Sequence, residues 1–453
     1  MKYLCTLASA LIATSALAAL KDAPPAFSYK DAKAVYVDIE SARYDITYDV
    51  EKSIVSVEST LSFNSPSAGY PIFDLVPEPS KVVLDGKSVA APEIRDPDSA
   101  STFRIMSARV SAGKHRVTLR HEITTNVVFK DGAVASGFWT SDLNDRRYLE
   151  QYLPTNLEFD QYQSTMNVSV VNSSEAHVLK ANGKVTETGN NSWEVVYPKF
   201  YSTSSHYFHL FRDKTFTNDV QFYLRSIDGR MIPVDIYTSY DVQPFVDKAT
   251  DTFNELEADY GPWPHEQLII YGNAPSGGME YSGATVTSLS AVSHEMMHSY
   301  HARGLMPANG NAGWMDEAMA RWRDNKYPLV DRLTYQSTRL AGRSPYTRMT
   351  DRMAYTEGSA FLGWIGFRMD EKGLSMKGFL RDYFQKYKYT TVTTPLFQKE
   401  LSAAAGMDLS AEFDQYIYGR GSFVPMTKGL RPLEEDPMHP RFTEKQLRDL
   451  TWP

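Results

Sequence analysis

The first half of the chain alternates apolar and polar residues, the pattern of half-buried β-strands. Two runs are separated by Glu51-Lys52, and their apolar members are Tyr44, Ile46, Tyr48, Val50, Val55, Val57, Leu61 and Phe63. Alternate side chains of a strand face the same side, so each run offers one apolar face. Asp85-Gly86 and Asn182-Gly183 supply turn residues between further runs. The pattern predicts an N-terminal antiparallel, sandwich-like β domain over residues 20–211.

After about residue 212 the apolar spacing becomes helical. One predicted helix face consists of Phe245, Ala249, Phe253, Leu256 and Tyr260. Gly261-Pro262 should end that helix. A short strand from Gln267 to Tyr271, a glycine-rich turn at 277–281 and a strand-like stretch from Ala284 to Leu289 precede further helical patterns. We expect a mainly α, α+β domain over residues 212–421 and an extended C-terminal tail over 422–453, which is rich in proline and charge.

The start of the chain has the pattern of a secretory signal peptide. Lys2 is followed by an apolar run from Leu4 to Leu17 and by the small-x-small sequence Ala16-Leu17-Ala18. This predicts cleavage after about residue 19, export to the periplasm or the extracellular space, and no transmembrane segment in the mature chain. Cys5 is the only cysteine and lies in this segment. The mature chain would therefore have no disulfides and no thiolate metal ligands.

Composition excludes some classes of function. The chain has 453 residues, a 42% hydrophobic content and a net charge of −8, without a run of lysine or arginine. Packed cores are therefore expected, and nucleic acid or an anionic membrane is not an expected partner. The sequence does not indicate an oligomeric state.

The chemistry is indicated by His294-Glu295-Met296-Met297-His298. On a helix, residues four apart lie on one face, so His294 and His298 can bind one zinc ion. Glu295 is displaced by one residue and can reach a zinc-activated water as general base. Glu317 follows His298 by nineteen residues and is the predicted third ligand. A fourth position would stay open for water, which is the arrangement of a catalytic rather than a structural zinc site.

These residues resemble the membrane alanyl aminopeptidase (aminopeptidase N) family of zinc metallopeptidases, a gluzincin family that includes leukotriene-A hydrolase. The family motifs G-x-M-E-N, H-E-x-x-H, W-L-N-E-G and Y-x-x-G appear here, in order, as Gly277 to Tyr281, His294 to His298, Trp314 to Ala318 and Tyr355 to Gly358. The resemblance covers residues 212–421 well and 40–211 loosely. It implies an N-terminal β domain followed by a thermolysin-like catalytic domain.

The resemblance also implies roles for substrate-binding and catalytic residues. Glu280 would hold the α-ammonium group of a peptide with a free N-terminus, and the substrate-binding segment would comprise Gly277, Gly278, Met279 and Glu280. Tyr355 would donate its hydroxyl to the developing oxyanion. His301 lies near the same helix face as His298 but is interpreted as a neighbour or surface residue, because a fourth protein ligand would close the site.

The chain departs from the family pattern at several positions. Tyr281 replaces asparagine, Asp316 and Ala318 flank Glu317 in place of asparagine and glycine, and Tyr300 stands where tryptophan is usual. Family members usually continue into a large helical C-terminal domain that covers the site, whereas the resemblance stops near residue 421. A more open site is implied, and the substrate preference is put in doubt.

The predicted function is an exported aminopeptidase with one zinc ion per chain that hydrolyses N-terminal residues by a metal-activated water. Glu295 would take the proton of the water and pass it to the leaving amine. Two alternatives stay open. An open groove would suit an endopeptidase, and a zinc-binding scaffold of the same fold without activity is the second alternative.

Overall fold

The computed structural model describes residues 20–144, 146–420 and 442–453. The predicted signal peptide, residues 1–19, and most of the predicted C-terminal tail lie outside these ranges. Among the described residues no helix combines the length and the apolar content that a membrane crossing requires.

The first half of the described chain is built from strands and one short 3₁₀ turn, Leu149–Gln151. The strands are β1 (Phe27–Tyr29), β2 (Ala32–Tyr36), β3 (Asp38–Asp49), β4 (Ile54–Ser65), β5 (Tyr70–Phe73), β6 (Lys81–Leu84), β7 (Lys87–Ser88), β8 (Glu93–Arg95), β9 (Thr102–Ile105), β10 (Gly113–Glu122), β11 (Val127–Lys130), β12 (Ala133–Gly137), β13 (Gln163–Val171), β14 (His177–Ala181), β15 (Lys184–Gly189), β16 (Ser192–Val196) and β17 (Phe208–Arg212).

These strands form three sheets around shared cores. The largest has the order β15-β16-β13-β3-β4-β10-β6-β7, and a four-stranded sheet has the order β11-β12-β17-β14. Inward residues of both sheets, among them Tyr44, Val57, Phe138 and Leu210, belong to one hydrophobic cluster, so the sheets pack on each other as the alternation predicts. The third sheet has the order β1-β2-β5-β9-β8.

One part of the strand prediction is wrong. β3 pairs with β13 in parallel, and β2 pairs with β5 in parallel, so the domain is not wholly antiparallel. Alternation reports which face of a strand is buried, but it carries no information on the direction of the neighbouring strand.

The second half of the described chain is mainly helical. Its strands are β18 (Asn218–Arg225), β19 (Met231–Thr238), β20 (Leu268–Tyr271), β21 (Gly278–Tyr281), β22 (Ala284–Thr287), β23 (Met306–Pro307) and β24 (Thr391–Val392). Its helices are α1 (Gln243–Tyr260), α2 (Val292–His301), α3 (Gly310–Asp324), α4 (Glu357–Asp370), α5 (Met376–Tyr387), α6 (Thr394–Ala405), α7 (Ser410–Tyr416) and α8 (Glu444–Thr451), with a 3₁₀ turn at Arg352–Ala354.

A five-stranded sheet lies beside the helical core. Its order is β18-β19-β20-β22-β21, with β21 at one edge. The apolar faces of α1, α2, α3 and α4 share one large core, in which Phe253, Met297, Trp314 and Phe361 are buried. Helix α2 is buried along its whole length apart from Ser293, because the sheet and the other helices surround it. Its polar residues are therefore held inside the protein.

The expectation of an extended tail is wrong for Glu444–Thr451, which form α8. Thr443 caps this helix in a capping box with Gln446, and the apolar side chains of Leu447 and Leu450 face one cluster. The Trp139 indole donates to Thr451 Oγ1 at 3.0 Å, and the Tyr271 hydroxyl donates to the Leu450 carbonyl at 2.7 Å. Helix α8 thus contacts both halves of the chain.

The two halves are joined by a buried arginine. Arg348 lies in the loop that precedes the 3₁₀ turn at Arg352–Ala354, and its guanidinium donates to Asp74 at 2.5 Å, Glu150 at 2.8 Å and Glu158 at 3.2 Å. All three carboxylates belong to the strand-rich half. Burial raises the pKa of Glu150 to about 7, although Arg348 opposes this shift. The arginine is the counter-charge that allows these acids to be buried together.

Replacing Arg348 should therefore unfold the protein more easily. We expect Arg348→Met to lower the free energy of unfolding by about 3–5 kcal/mol, because it removes the arginine that contacts the buried Glu150 and Glu158, while Asp74 keeps its contact with Arg146. Urea unfolding measures this loss. The control is Arg43→Met, which breaks the exposed pair of Arg43 with Asp45 and should cost about 1 kcal/mol or less. Similar losses in the two variants would contradict the role assigned to Arg348.

Candidate active site

Helix α2 presents His294 and His298 one turn apart on one face. Their rings lie 4.9 Å apart between centroids and are nearly perpendicular. Both side chains are fully buried, as is that of Glu295 between them. The apolar side chains of Met296, Met297 and Tyr300 fix the helix in the core, so the imidazoles have little freedom to move.

Helix α3 brings Glu317 to the two histidines. Its N-cap is Asn309, whose side chain accepts from the backbone N–H of Asn311. The Glu317 Oε2 atom lies 3.4 Å from His294 Nε2 and 3.6 Å from His298 Nε2. Bonds of about 2.0–2.1 Å to a tetrahedral zinc would place two ligand atoms about 3.4 Å apart. The donor set and its spacing therefore fit a zinc ion.

Asp324 completes the surroundings of the predicted ligands and was not found from the sequence. Its Oδ2 atom lies 2.6 Å from His294 Nδ1. A proton on Nδ1 that is donated to this carboxylate leaves Nε2, the nitrogen beside Glu317, with the lone pair that a metal ligand needs. The hydrogen bond to His294 lowers the pKa of Asp324 against the opposing effect of burial. Asp324 follows Glu317 by seven residues on α3, two helical turns, so helical spacing is a signal that would have pointed to it.

Strand β21 contains most of the predicted substrate segment and lies beside α2. A Cβ atom on Gly278 would lie 2.6 Å from the Glu295 side chain, so only glycine lets the strand approach the predicted base so closely. Gly277 has a φ of +59°, a conformation that favours glycine as well. Met279 points into an aromatic cluster with Tyr271 and is buried there. Since β21 pairs only with β22 in its sheet, its other edge lacks a partner strand among the described residues.

Glu280 also lies beside the predicted metal ligand His298. Its carboxylate, the Glu295 carboxylate and an imidazole nitrogen of His298 lie within 4.8 Å of one another. Arg303, which the sequence analysis did not single out, donates from Nη2 to Glu280 Oε1 at 2.5 Å and from Nη1 to Ser204 Oγ at 2.6 Å. The sequence gives no regular spacing between these partners, so this contact had no pattern that would predict it.

Tyr281, the residue that replaces the asparagine of the family motif, connects β21 to the strand-rich half. Its hydroxyl accepts from the backbone N–H of Thr140 at 3.2 Å and donates to the carbonyl of Phe138 at 3.1 Å. The side chain points into the aromatic cluster that also contains Met279. Its role in the structure is therefore to hold strand β21 against the strand-rich half.

Tyr355 lies beside the predicted metal ligands His294 and Glu317, as the resemblance implies. Its ring stacks on that of His294 with 6.4 Å between centroids and an angle of 18°. Burial raises the pKa of Tyr355 well above its usual value, and the Glu317 carboxylate raises it further. The hydroxyl thus keeps its proton, which is the state that can donate a hydrogen bond to an oxyanion.

A small cavity lined by acidic and basic side chains lies beside Arg303. It has a volume of about 30 Å³, and its lining includes Asp142, Tyr148, Arg303 and Asp316. That volume is enough for about two water molecules. Burial raises the pKa of Asp316, and the negative charges of Glu317 and Asp142 raise it further. Asp142 comes from the strand-rich half, so both halves of the chain build this side of the site.

Three other residues of the sequence analysis have structural roles. His301 is buried between the rings of Tyr260 and Phe384, and burial lowers its pKa to about 3. It is therefore a neutral core residue, not a surface residue, and it is not part of a metal-binding group among the described residues. Tyr300 and Trp314 are fully buried in the core that holds α2 and α3.

Comparison with known proteins gives similarity in structure only. No protein-family model matches the sequence, and no curated protein matches it. An M1 zinc metallopeptidase from Deinococcus radiodurans is similar with a TM-score of 0.60 and 15% sequence identity, covering 88% of this chain and 97% of that chain.

Two further solved structures are similar at equally low identity. Legionella pneumophila aminopeptidase A in complex with aspartic acid has a TM-score of 0.63 at 13% identity and covers 86% of this chain but 50% of its own. Yeast LTA4 hydrolase in complex with bestatin has a TM-score of 0.58 at 13% identity and covers 84% of this chain and 68% of its own. The chain therefore has the mixed sheet and helix fold of the two-domain M1 zinc metallopeptidases.

Proposed function

We propose that this protein is a zinc-dependent aminopeptidase that removes N-terminal residues from peptides. One observation carries the proposal: His294, His298 and Glu317 converge in a buried group suited to zinc, and Glu280 and Glu295 converge on the same His298. The fold it shares with zinc aminopeptidases supports this assignment. The narrower placement beside aminopeptidase N rests on the four sequence motifs.

One zinc ion per chain is part of the proposal. Two overlapping groups of possible ligands exist among the described residues, and both contain His298. In the group with Glu280 and Glu295, the Glu280 carboxylate is already bound by Arg303 at 2.5 Å. A guanidinium beside a metal ion would repel it, so the group with His294 and Glu317 is the better site. Its histidine is also oriented by Asp324.

The side chains of the site suit hydrolysis by an activated water. A zinc ion held by His294, His298 and Glu317 would supply Lewis acidity, which makes water more acidic and polarises a carbonyl group. Glu295, buried beside the ligands, accepts the proton of the attacking water and returns it to the leaving amine. Tyr355 donates its hydroxyl hydrogen to the carbonyl oxygen as negative charge develops there. The step needs no covalent bond between protein and substrate.

Substrate binding follows from strand β21 and Glu280. An extended peptide can add to the edge of β21 by backbone hydrogen bonds, which places its carbonyl groups along the metal cluster. Glu280 then meets the free α-ammonium group and stops the peptide at its first residue. A related M1 zinc metallopeptidase from Deinococcus radiodurans was crystallised with the peptide Tyr-Ser-Ala, which supports a peptide as the substrate class.

Export from the cytoplasm completes the proposal. It rests on the sequence of residues 1–19 alone, because these residues lie outside the described structure. The destination would be the periplasm or the extracellular space.

The base is tested by Glu295→Gln. We expect the variant to keep its zinc and to lose about 10²–10⁴-fold in kcat, because a carboxamide cannot accept the proton of water. Metal analysis and turnover of aminoacyl-coumarin substrates, with and without a chelator, measure both quantities. His298→Ala is the comparison variant and should lose the metal together with the activity. Full turnover by the Gln variant would rule out this mechanism.

The oxyanion donor is tested by Tyr355→Phe. We expect a fall in kcat of about 10²–10³-fold with little change in KM or zinc content, since the hydroxyl acts mainly in the transition state. Tyr383→Phe, which removes the hydroxyl of a buried tyrosine of helix α5, is a matched control and should leave kcat unchanged. If Tyr355→Phe lowers the melting temperature and keeps its kcat, the tyrosine serves packing only.

The aminopeptidase assignment is tested with free and N-acetylated versions of one coumarin peptide. The wild type should cleave the free peptide far better. Glu280→Gln should cost about 10–150-fold in kcat/KM on the free peptide, corresponding to about 1.5–3 kcal/mol for a charged hydrogen bond, and little on the acetylated one. Zinc content and thermal stability are measured in parallel. Equal cleavage of both peptides by the wild type would replace the aminopeptidase by an endopeptidase, and no cleavage of either by the zinc-loaded protein would indicate an inactive scaffold.

A further inference from the structure

Arg303 is placed to act on the proposed ammonium site. It follows helix α2 by two residues, so it is anchored to the metal-binding helix, and only 5% of its side chain is exposed. Its guanidinium contacts one residue from each half of the chain, Glu280 in β21 and Ser204 in the loop before β17. The Ser204 hydroxyl in turn donates to the Glu158 carbonyl at 3.1 Å. The guanidinium is therefore held on both sides.

The charges around Arg303 explain why it is needed there. Glu280 lies close to Glu295, and two carboxylates at such a distance repel each other when both are ionised. The acidic side chains of Asp142 and Asp316 line the adjoining cavity together with Arg303. Arg348, the other arginine of that cavity, already binds three carboxylates of the strand-rich half. Arg303 is the cation that contacts Glu280 directly.

This contact changes what Glu280 can do as an ammonium ligand. Arg303 occupies Oε1, so the substrate ammonium has to share the same carboxylate with a fixed cation. A shared carboxylate binds each cation less strongly than it would bind one alone, but a fixed carboxylate offers the ammonium a single geometry. Without Arg303, repulsion by Glu295 would displace the Glu280 carboxylate. We therefore expect the gain from a fixed carboxylate to exceed the loss from sharing it with a second cation.

We propose that Arg303 is a positioning residue that holds the Glu280 carboxylate in the geometry that recognises the N-terminal ammonium group. The guanidinium acts through Glu280 and does not touch the substrate. Recognition of a free N-terminus therefore depends on the turn after the metal helix as well as on β21. This inference rests on the proposed aminopeptidase function.

Zinc-binding probes test the inference without the need for turnover. Alanine hydroxamate has a free ammonium group, and N-acetyl-alanine hydroxamate has none, while both can bind zinc through the hydroxamate. The ratio of their dissociation constants measures ammonium recognition alone. We expect Arg303→Met to weaken binding of the free hydroxamate by about 10-fold or more and to change binding of the acetylated one by less than about 2-fold. Arg303→Lys should fall between the wild type and Arg303→Met, because a lysine restores the charge but not the fork of donors.

A double-variant cycle separates positioning from a purely structural role. In a Glu280→Gln background, Arg303→Met should reduce the binding ratio by less than about 2-fold further, because the group through which it acts has lost its charge. Additive losses in the cycle would overturn the proposal. Arg368→Met is the matched control, since it breaks an arginine–glutamate contact of the same 2.5 Å length elsewhere in the helical half, and it should leave the ratio unchanged.

The outcomes distinguish this inference from the function it rests on. Equal binding of the two hydroxamates by the wild type would refute ammonium recognition itself. A wild-type preference for the free hydroxamate that persists in Arg303→Met would refute the role of Arg303 alone. If Arg303→Met does not fold, Arg303→Lys and Ser204→Ala decide the matter, because each disturbs the same guanidinium contacts more mildly. An unchanged ratio in both folded variants would overturn the proposal.

Discussion

The structure depends on the pairing of carboxylates that are buried between its two halves. A buried carboxylate without a counter-charge is so costly that it either takes up a proton or prevents the fold. Here three acids of the strand-rich half, Asp74, Glu150 and Glu158, contact Arg348 of the helical half. Glu280 of strand β21 contacts Arg303. His294, His298 and Glu317 form a third buried group of ionisable side chains. Because Arg348 and its three acids come from different halves, this group joins the two halves, whereas the other two groups lie within the helical half.

The hydrophobic pattern predicted the elements of the fold better than their arrangement. Alternation identified β3 and β4, and helical spacing identified α1, because burial of one face is a local property of the sequence. The parallel pairing of β3 with β13 was missed, since a strand pattern does not identify its neighbour. Helix α8 was missed for a different reason. It has only eight residues, and its stability comes from contacts of Leu447 and Leu450 with distant parts of the chain.

The site shows the same division between local and distant information. His294, Glu295 and His298 were predicted because one helix turn fixes their relation, and the structure places Glu317 and Tyr355 with them. Asp324 had a local signal, two helical turns after Glu317. Arg303 had none, since its partners Glu280 and Ser204 meet it only in the folded chain. The motifs thus predicted the candidate metal ligands and base, whereas the contact of Arg303 with Glu280 is visible only in three dimensions.

The position of Arg303 also bears on which acidic residue takes which role in the proposed function. His298 lies within reach of two acidic groups, one containing Glu317 and the other containing Glu280 and Glu295. Beside the Arg303 guanidinium, a doubly charged zinc ion is repelled more strongly than a singly charged ammonium group, so in the proposed function zinc would bind at Glu317, whose histidine neighbour is oriented by Asp324. In the proposed function, Glu295 then transfers protons and Glu280 binds the charged N-terminus of the substrate. If both proposals hold, one arginine on the turn after helix α2 separates the roles of the neighbouring acids Glu280, Glu295 and Glu317.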